Sequence, residues 1–579
     1  MPVVDAVSGV SIPAALRELA SLQPSDAAFT FIDYDRDPDR GVRTTRTWLE
    51  MYRRARCVAT ALREHGPEGE RAVILAPQGL DYVAAFLGCL EAGIVAVPVS
   101  VPRAGSHDER VSMVIADSAP AAILTTSTVS RRVAAHLRAD SGMSPVLIEV
   151  DTLDVEGRPG FKSRGGDSGI ALLQYTSGST RRPAGVMVSH RNLIANNDQI
   201  VKCYFADTGN VAPRDTTIVS WLPFYHDMGL FIGICAPILS GIHSVLTSPL
   251  SFLVDPARWL HMMASNTKAF SPAPNFALEL AIRKATDAEL AGIDLGGVTH
   301  IVSGAERVHA ATLGRFTERF ARFGLKPHAL RPSYGLAEGT VYVAARAPGA
   351  PPKVVRFDSE RLTAGRAEQR NDSSGTALVS YGVPVAPFVR IVDGATSTEI
   401  PEGSVGEIWV HGENVAQGYW RQPDKTRETF SWQLVDPSPG TPVGPWLRTG
   451  DLGFMSDGEL FIAGRIKDLV IIRGQNYYPD DIEATVAEFS DGRVAAIPIL
   501  DGQVEALALI LEYEAPDDSP KTIARKVDTV KSAVTNNHLV AVADVVVVRP
   551  GAIPVTSSGK IRRSECAQLY RDEAFKRVG

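Results

Sequence analysis

The chain is expected to fold as a layered α/β protein with a smaller α+β domain at its C-terminus, and three observations predict this. Its 579 residues exceed what one hydrophobic core supports, so several domains or subdomains are required. Short β-branched runs alternate with helical patterns through most of the length. Beyond Arg465 the pattern changes to a helix flanked by alternating strands.

Residues 72–75, 94–98, 121–125 and 145–150 read as strands, and residues 80–92 as a buried or amphipathic helix between the first two. Alternation of this kind implies parallel βαβ units. The pattern resumes at 269–270 and 300–303, each followed by helical sequence. After a turn-rich loop at 436–446, the runs 452–455 and 460–462 flank Asp457-Gly458 and predict a hairpin. A helix at 480–488 and strands at 494–500, 506–512 and 544–548 then form a domain of roughly 110 residues. The expected division is 1–464 and 465–579.

Composition narrows the class. Apolar residues are 45% and charged residues 22%, the balance of an ordinary globular protein, and a net charge of −7 argues against nucleic-acid binding. Five scattered cysteines (Cys57, Cys89, Cys203, Cys235, Cys566) form no CxxC pair, which suits a reducing compartment. The first residues lack a basic, apolar leader, so no secretory signal is expected. The most apolar stretch, 228–239, is too short to span a bilayer. A cytoplasmic protein without a transmembrane segment is expected.

Five separated segments carry chemistry together. Thr176, Ser177, Gly178, Ser179 and Thr180 follow an apolar strand-like run; their hydroxyls and flexible glycine suit a triphosphate, although no GxxxxGK[ST] string occurs. Tyr334-Gly335-Leu336-Ala337-Glu338 offers an aromatic for a base, a close backbone approach, and a carboxylate able to take Mg2+. Ser303, Gly304, Ala305 and Glu306 end a strand where α/β ligands bind. Asp451, in RTGD, could accept from ribose hydroxyls, with Arg465 adding a donor. Lys560, in PVTSSGKIRR, is a cation that could stabilise charge developing as a carboxylate attacks the α-phosphorus of ATP.

TSGST, YGLAE, RTGD, GRIKD and TSSGKIRR, in that order, resemble the adenylate-forming superfamily of acyl-CoA synthetases, adenylation domains and luciferases. The resemblance covers essentially the whole chain. It implies two β-α subdomains plus a distorted β-barrel, a small mobile C-terminal lid, and ATP-dependent activation of a carboxylate to an acyl-adenylate. On the matching positions it implies Lys560 as catalytic lysine, Glu338 as magnesium ligand, Asp451 as ribose ligand and Tyr334 as adenine-stacking aromatic. Ser333, beside Tyr334, falls in the same ATP site, and Lys467 matches the hinge of the lid.

Departures select a branch. Arg181 and Ala184 replace a glycine and a lysine of the usual phosphate loop. That form looks like the long-chain fatty-acyl-AMP ligases, close to mycobacterial members that load acyl chains onto carrier-protein domains of polyketide synthases for lipid synthesis. SWLPFYHDMGL, SPAPNFALEL and YYPDDIEAT are similar to that branch too. Residues 351–375 resemble an insertion that packs against the lid and hinders CoA thioester formation, with Val354, Val355, Phe357 and Leu362 supplying apolar contact. Ala305, where relatives often have Ser, and Gln475-Asn476-Tyr477, in place of Arg-Asn-His, remove no group the chemistry needs. A long-chain fatty acid is the expected substrate: 228–238 and 270–280, apolar with small residues, are expected to flank the active site, with His226 near the carboxylate. Burying ~15 methylenes at ~0.8 kcal/mol each contributes roughly 12 kcal/mol before ordering costs.

Overall fold

The structure, a computed structural model, describes residues 10–102, 108–139, 145–155, 169–175, 183–472, 475–501, 504–514, 519–538, 540–556 and 559–578. A six-stranded sheet runs Val146–Glu149, Ala122–Thr125, Arg71–Ile74, Val95–Pro98, Ile170–Tyr175, Gly185–Ser189. Its first five strands are parallel and only the last is antiparallel. Buried on both faces, such strands read as unbroken apolar runs, which is why they were visible in the sequence. The helix Leu80–Ala92 is buried at every position from Tyr82 onward and ends at Gly93, whose φ of 67° suits a residue without Cβ. Against it packs the helix Trp48–Arg63, capped by a Thr47–Glu50 box.

An eight-stranded sheet has the order Ala344–Ala345, Leu330–Tyr334, Val298–Ser303, Lys268–Pro272, Thr216–Ser220, His243–Thr247, Ala27–Asp33, Val42–Thr47. Its six central strands are parallel. Side-chain amides lash the two sheets together at their carboxyl edges. Gln78 Nε2 donates to Leu222 O (3.0 Å) and Thr247 O (2.8 Å), and Gln174 Nε2 donates to Tyr225 O (2.8 Å).

An antiparallel five-stranded sheet follows, interrupted by register shifts near Trp409 and Gly453. It contains the expected hairpin, Leu447–Ser456 paired with Glu459–Arg465. A bridge between Ser380 and Phe461 joins it to a three-stranded sheet made of Val354–Phe357, Gln369–Arg370 and Thr376–Val379. Together these occupy the position expected for the distorted barrel.

The smaller C-terminal domain has a sheet of Val494–Asp501, Val504–Glu512 and Val542–Val548, with helices Pro479–Ala487 and Pro520–His538. Its own core joins Val470, Ile482, Val486, Leu509, Val530 and Val534. Residues 351–375 reach this domain through Phe357 and Leu362, which cluster with Phe454, Phe461 and Tyr478. Val355 is partly buried there, but Val354 is 45% exposed and makes no apolar seal, because alternation along its strand points it outward.

The apolar stretch 228–239 folds as three short helical pieces, Asp227–Leu230, a π-turn Phe231–Cys235, and Ala236–Ser240. Among the described residues no helix is long and apolar enough to cross a membrane.

Candidate active site

The expected site residues come from the carboxyl ends of neighbouring strands, where a parallel sheet opens a crevice. Thr216–Ser220 leads to His226 and Asp227, Val298–Ser303 to Gly304, Ala305 and Glu306, and Leu330–Tyr334 to Gly335 and Glu338. Backbones crowd here. A Cβ on Gly335 would lie 1.7 Å from Val341 O, and one on Gly304 would lie 2.7 Å from Ser333 O. Only glycine fits at these contacts. Ala305 (φ 66°) and Thr340 (φ 71°) hold left-handed conformations disfavoured for residues with a Cβ, and both flank the crevice. Thr340 is fixed by Oγ1 donating to Asn414 O at 2.6 Å.

Tyr334 and Asp451, both buried, form one cluster with the partly exposed Arg465. Tyr334 OH donates to Asp451 Oδ2 at 2.7 Å, and Arg465 Nε lies 2.9 Å from Asp451 Oδ1. Asp451 raises the Arg465 guanidinium above its ordinary value, while burial and then Asp451 raise the Tyr334 phenol. Tyr334 thus stays a neutral donor. Glu338 Oε1 accepts from Tyr419 OH at 2.7 Å, which fixes the carboxylate's orientation.

Lys560 reaches this crevice from the C-terminal domain. Its turn is closed by Thr556 N donating to Lys560 O (2.8 Å) and Lys560 N donating to Thr556 Oγ1 (3.1 Å). Gly559 packs near Phe276, with its Cβ position 3.7 Å from Cε1. Burial, then Arg465, lowers the Lys560 pKa, while Asp227, Glu306 and Asp451 act to raise it. Lys560 is therefore within electrostatic reach of three carboxylates borne by three different segments, one of which, Asp451, also pairs with Arg465. Glu306 accepts from Phe276 N at 2.6 Å, at the start of helix Asn275–Lys284. Burial pushes its carboxyl up to about 7. Burial also raises Asp227, with Lys560 opposing. Lys467, the expected hinge, lies close enough to feel Arg465, Asp451 and Glu338.

A small cavity opens beside these groups. Its walls include Ile200, Tyr204, Asp227, Met228, Ile232, Val302, Gly304, Ala305 and Tyr342. Of the two apolar segments, 228–238 contributes Met228 and Ile232 to this lining, whereas 270–280 contributes no residue to it and borders the site through Phe276. Phe270 packs instead on Tyr204, Phe205 and His300. Helix His190–Tyr204 supplies Ile200 and Tyr204 in its place. His226 precedes Asp227 at the start of the short helix, its ring 4.9 Å from that of Tyr225.

Thr176, Ser177, Gly178, Ser179, Thr180 and Arg181 lie outside the described residues. The strands on either side, Ile170–Tyr175 and Gly185–Ser189, are paired. Sequence reasoning did not single out Asp227 or Tyr419. The first carries a local signal, an acid directly before a long apolar run.

A family profile described as AMP-binding enzyme matches residues 16–420. The chain belongs to this family. A second profile, described as Disco-interacting protein 2-like, AMP domain, matches residues 467–578. A Mycobacterium tuberculosis protein named fatty-acid--CoA ligase fadD25 is 55% identical over 576 residues, covering 98% of this chain and 99% of that protein. Another from the same organism, named long-chain-fatty-acid--AMP ligase FadD28, is 54% identical over 575 residues, covering 98% and 99%. The crystal structure of a fatty acyl-adenylate ligase from L. pneumophila, in complex with acyl adenylate and pyrophosphate, superposes with a TM-score of 0.73. It is 32% identical, with 98% of this chain and 97% of that chain covered.

Proposed function

We propose that the protein is an ATP- and Mg2+-dependent long-chain fatty-acid–AMP ligase of the cytoplasm. A carboxylate oxygen of the fatty acid attacks the α-phosphorus of ATP, the bond to pyrophosphate breaks, and acyl-adenylate forms. A phosphopantetheine thiol on a carrier-protein domain of a polyketide synthase then attacks the acyl carbonyl. AMP leaves, and the thioester enters lipid synthesis.

The observation that carries this reading is that Lys560, of the C-terminal domain, lies within electrostatic reach of Asp227, Glu306 and Asp451, and Asp227 lines the adjoining cavity. Negative charge grows on the α-phosphoryl oxygens during attack. A fixed ammonium there favours the transition state over the ground state. In this reading Asp451 binds the ribose with Arg465 beside it, and Tyr334 contacts the adenine. The backbones of Ser303, Gly304, Ala305, Glu306, Ser333 and Gly335 border the nucleotide. The phosphate-loop residues Thr176 to Thr180 hold the triphosphate, His226 meets the substrate carboxylate, and Lys467 is the hinge.

The Glu338 carboxylate, oriented by Tyr419, suits Mg2+, a hard cation that takes carboxylate oxygen together with phosphate oxygens. When bound it neutralises phosphate charge. Preference for a carrier thiol over CoA is supported by residues 351–375 meeting the C-terminal domain through Phe357, Leu362 and Tyr478. The relative named a CoA ligase makes CoA the competing acceptor.

The test supplies labelled fatty acid, ATP and Mg2+ with either CoA or a carrier domain bearing phosphopantetheine. Acyl-adenylate and acylated carrier are the expected products. Abundant acyl-CoA would remove the carrier assignment.

A further inference from the structure

We propose that Arg307 is a positioning residue that latches the C-terminal domain in the pose where Lys560 enters the pocket. The inference rests on the reading above. Arg307 stands one residue beyond the strand end assigned to the nucleotide, yet its side chain leaves the crevice. Its Nη2 lies 2.5 Å from Asp481 Oδ1, in helix Pro479–Ala487 of the C-terminal domain, and its Nη1 donates to Ala463 O at 3.0 Å. The two side chains are 11% and 14% exposed, so the pair is largely shielded from water.

Both ends of this contact are held. On the nucleotide side, Glu306 accepts from Phe276 N (2.6 Å), Val308 N donates to Tyr381 Oη (3.4 Å), and His309 N donates to Asn275 Oδ1 (3.0 Å). The loop therefore presents Arg307 in one direction. On the other side, Asp480, next to Asp481, meets Arg563 at 2.5 Å. Arg563 also meets Glu483 (2.6 Å) and Asp468 (3.3 Å). Arg563 is three residues beyond Lys560 and begins the helix Arg563–Arg571. Two groups of ion pairs, Arg307 with Asp481 and Arg563 with Asp480, Glu483 and Asp468, thus meet on helix Pro479–Ala487, and the second lies three residues from Lys560 along the chain. A shielded pair is held by geometry, and removing one partner strands the other. Rotation of the domain separates Arg307 from Asp481 and returns both to water, so the contact can reversibly favour one pose.

Two readouts on the full chain test this. The first is the distance distribution between spin labels at Glu318 and Asp528, on exposed surfaces of the two domains. Wild type should give one narrow distribution, and Arg307→Ala or the near-isosteric Asp481→Asn a broadened one, with Arg307→Lys intermediate. The second is fatty-acid-dependent pyrophosphate exchange. There kcat should fall about tenfold or more in Arg307→Ala, with KM for ATP and fatty acid within about threefold of wild type. A folded Arg307→Ala protein with an unchanged distance distribution overturns the latch. So does a loss residing in KM alone. Should wild type make no acyl-adenylate while the distribution still broadens, the latch stands and the functional reading falls.

Discussion

At the scale of single residues, the proposed chemistry depends on the Lys560 ammonium and a few close backbone contacts. Lys560→Ala should lower acyl-adenylate formation by about 10² to 10³ in kcat, as expected for loss of a group stabilising transition-state charge, measured by pyrophosphate exchange. Lys560→Arg should not restore it, because a planar fork cannot occupy the place of a compact ammonium. Tyr419→Phe removes the 2.7 Å hydrogen bond that orients Glu338. It should raise the Mg2+ concentration for half-maximal activity about tenfold, the usual cost of losing a partner behind a metal-binding carboxylate. Gly335→Ala places a methyl 1.7 Å from Val341 O, so something must move. A loss of about 3 kcal/mol or more in denaturant unfolding is expected.

At the scale of elements, the sequence was most legible where one segment carries its own signal. Parallel strands such as Arg71–Ile74 and Val95–Pro98 are buried on both faces, and their apolar runs announce it. The hairpin was legible because Asp457 and Gly458 both hold positive φ, 52° and 72°, as a tight two-residue turn demands. Only part of the cavity wall, Met228 and Ile232, was legible. Ile200 and Tyr204 have the periodicity of any core-facing helix, and only the tertiary arrangement turns that face toward a void. Nor was the Arg307–Asp481 pair, whose partners lie 174 positions apart with no local pattern joining them. Within residues 351–375, exposed Val354 could not be told from buried Phe357. Phe357→Ala, in a cluster with Phe454 and Phe461, should cost about 3–5 kcal/mol in unfolding free energy.

For the whole molecule, buried ionisable groups set the response to pH. Burial lowers His243, His309 and His538 to about 4 and His300 to about 3. A group whose folded pKa is depressed below its unfolded value of 6.5 binds its proton more readily when unfolded. Stability from these four histidines is present above 6.5 and is lost as pH falls toward 4. Glu306 and Asp481 act oppositely, because burial raises them to about 7 and about 6. Folded protein retains their protons in that range, so their effect favours lower pH. Asp81, Asp198, Asp227 and Glu483, also raised by burial, act in the same sense as Glu306 and Asp481. The histidines, whose shifts from 6.5 to about 4 or 3 span the whole window, should still make the thermal midpoint drop on acidification from pH 7.5 to 5. Glu306→Gln, which removes one opposing group, should make that drop steeper in calorimetry. The same assembly of two domains brings distant charges to one crevice, and the chemistry requires that crevice to be shared. The most direct measurement is incorporation of labelled pyrophosphate into ATP by the full-length protein as a function of fatty acid. Exchange that requires a long-chain acid and disappears in Lys560→Ala is the expected result. Exchange absent at every chain length in wild type, or undiminished in the lysine variant, would contradict it.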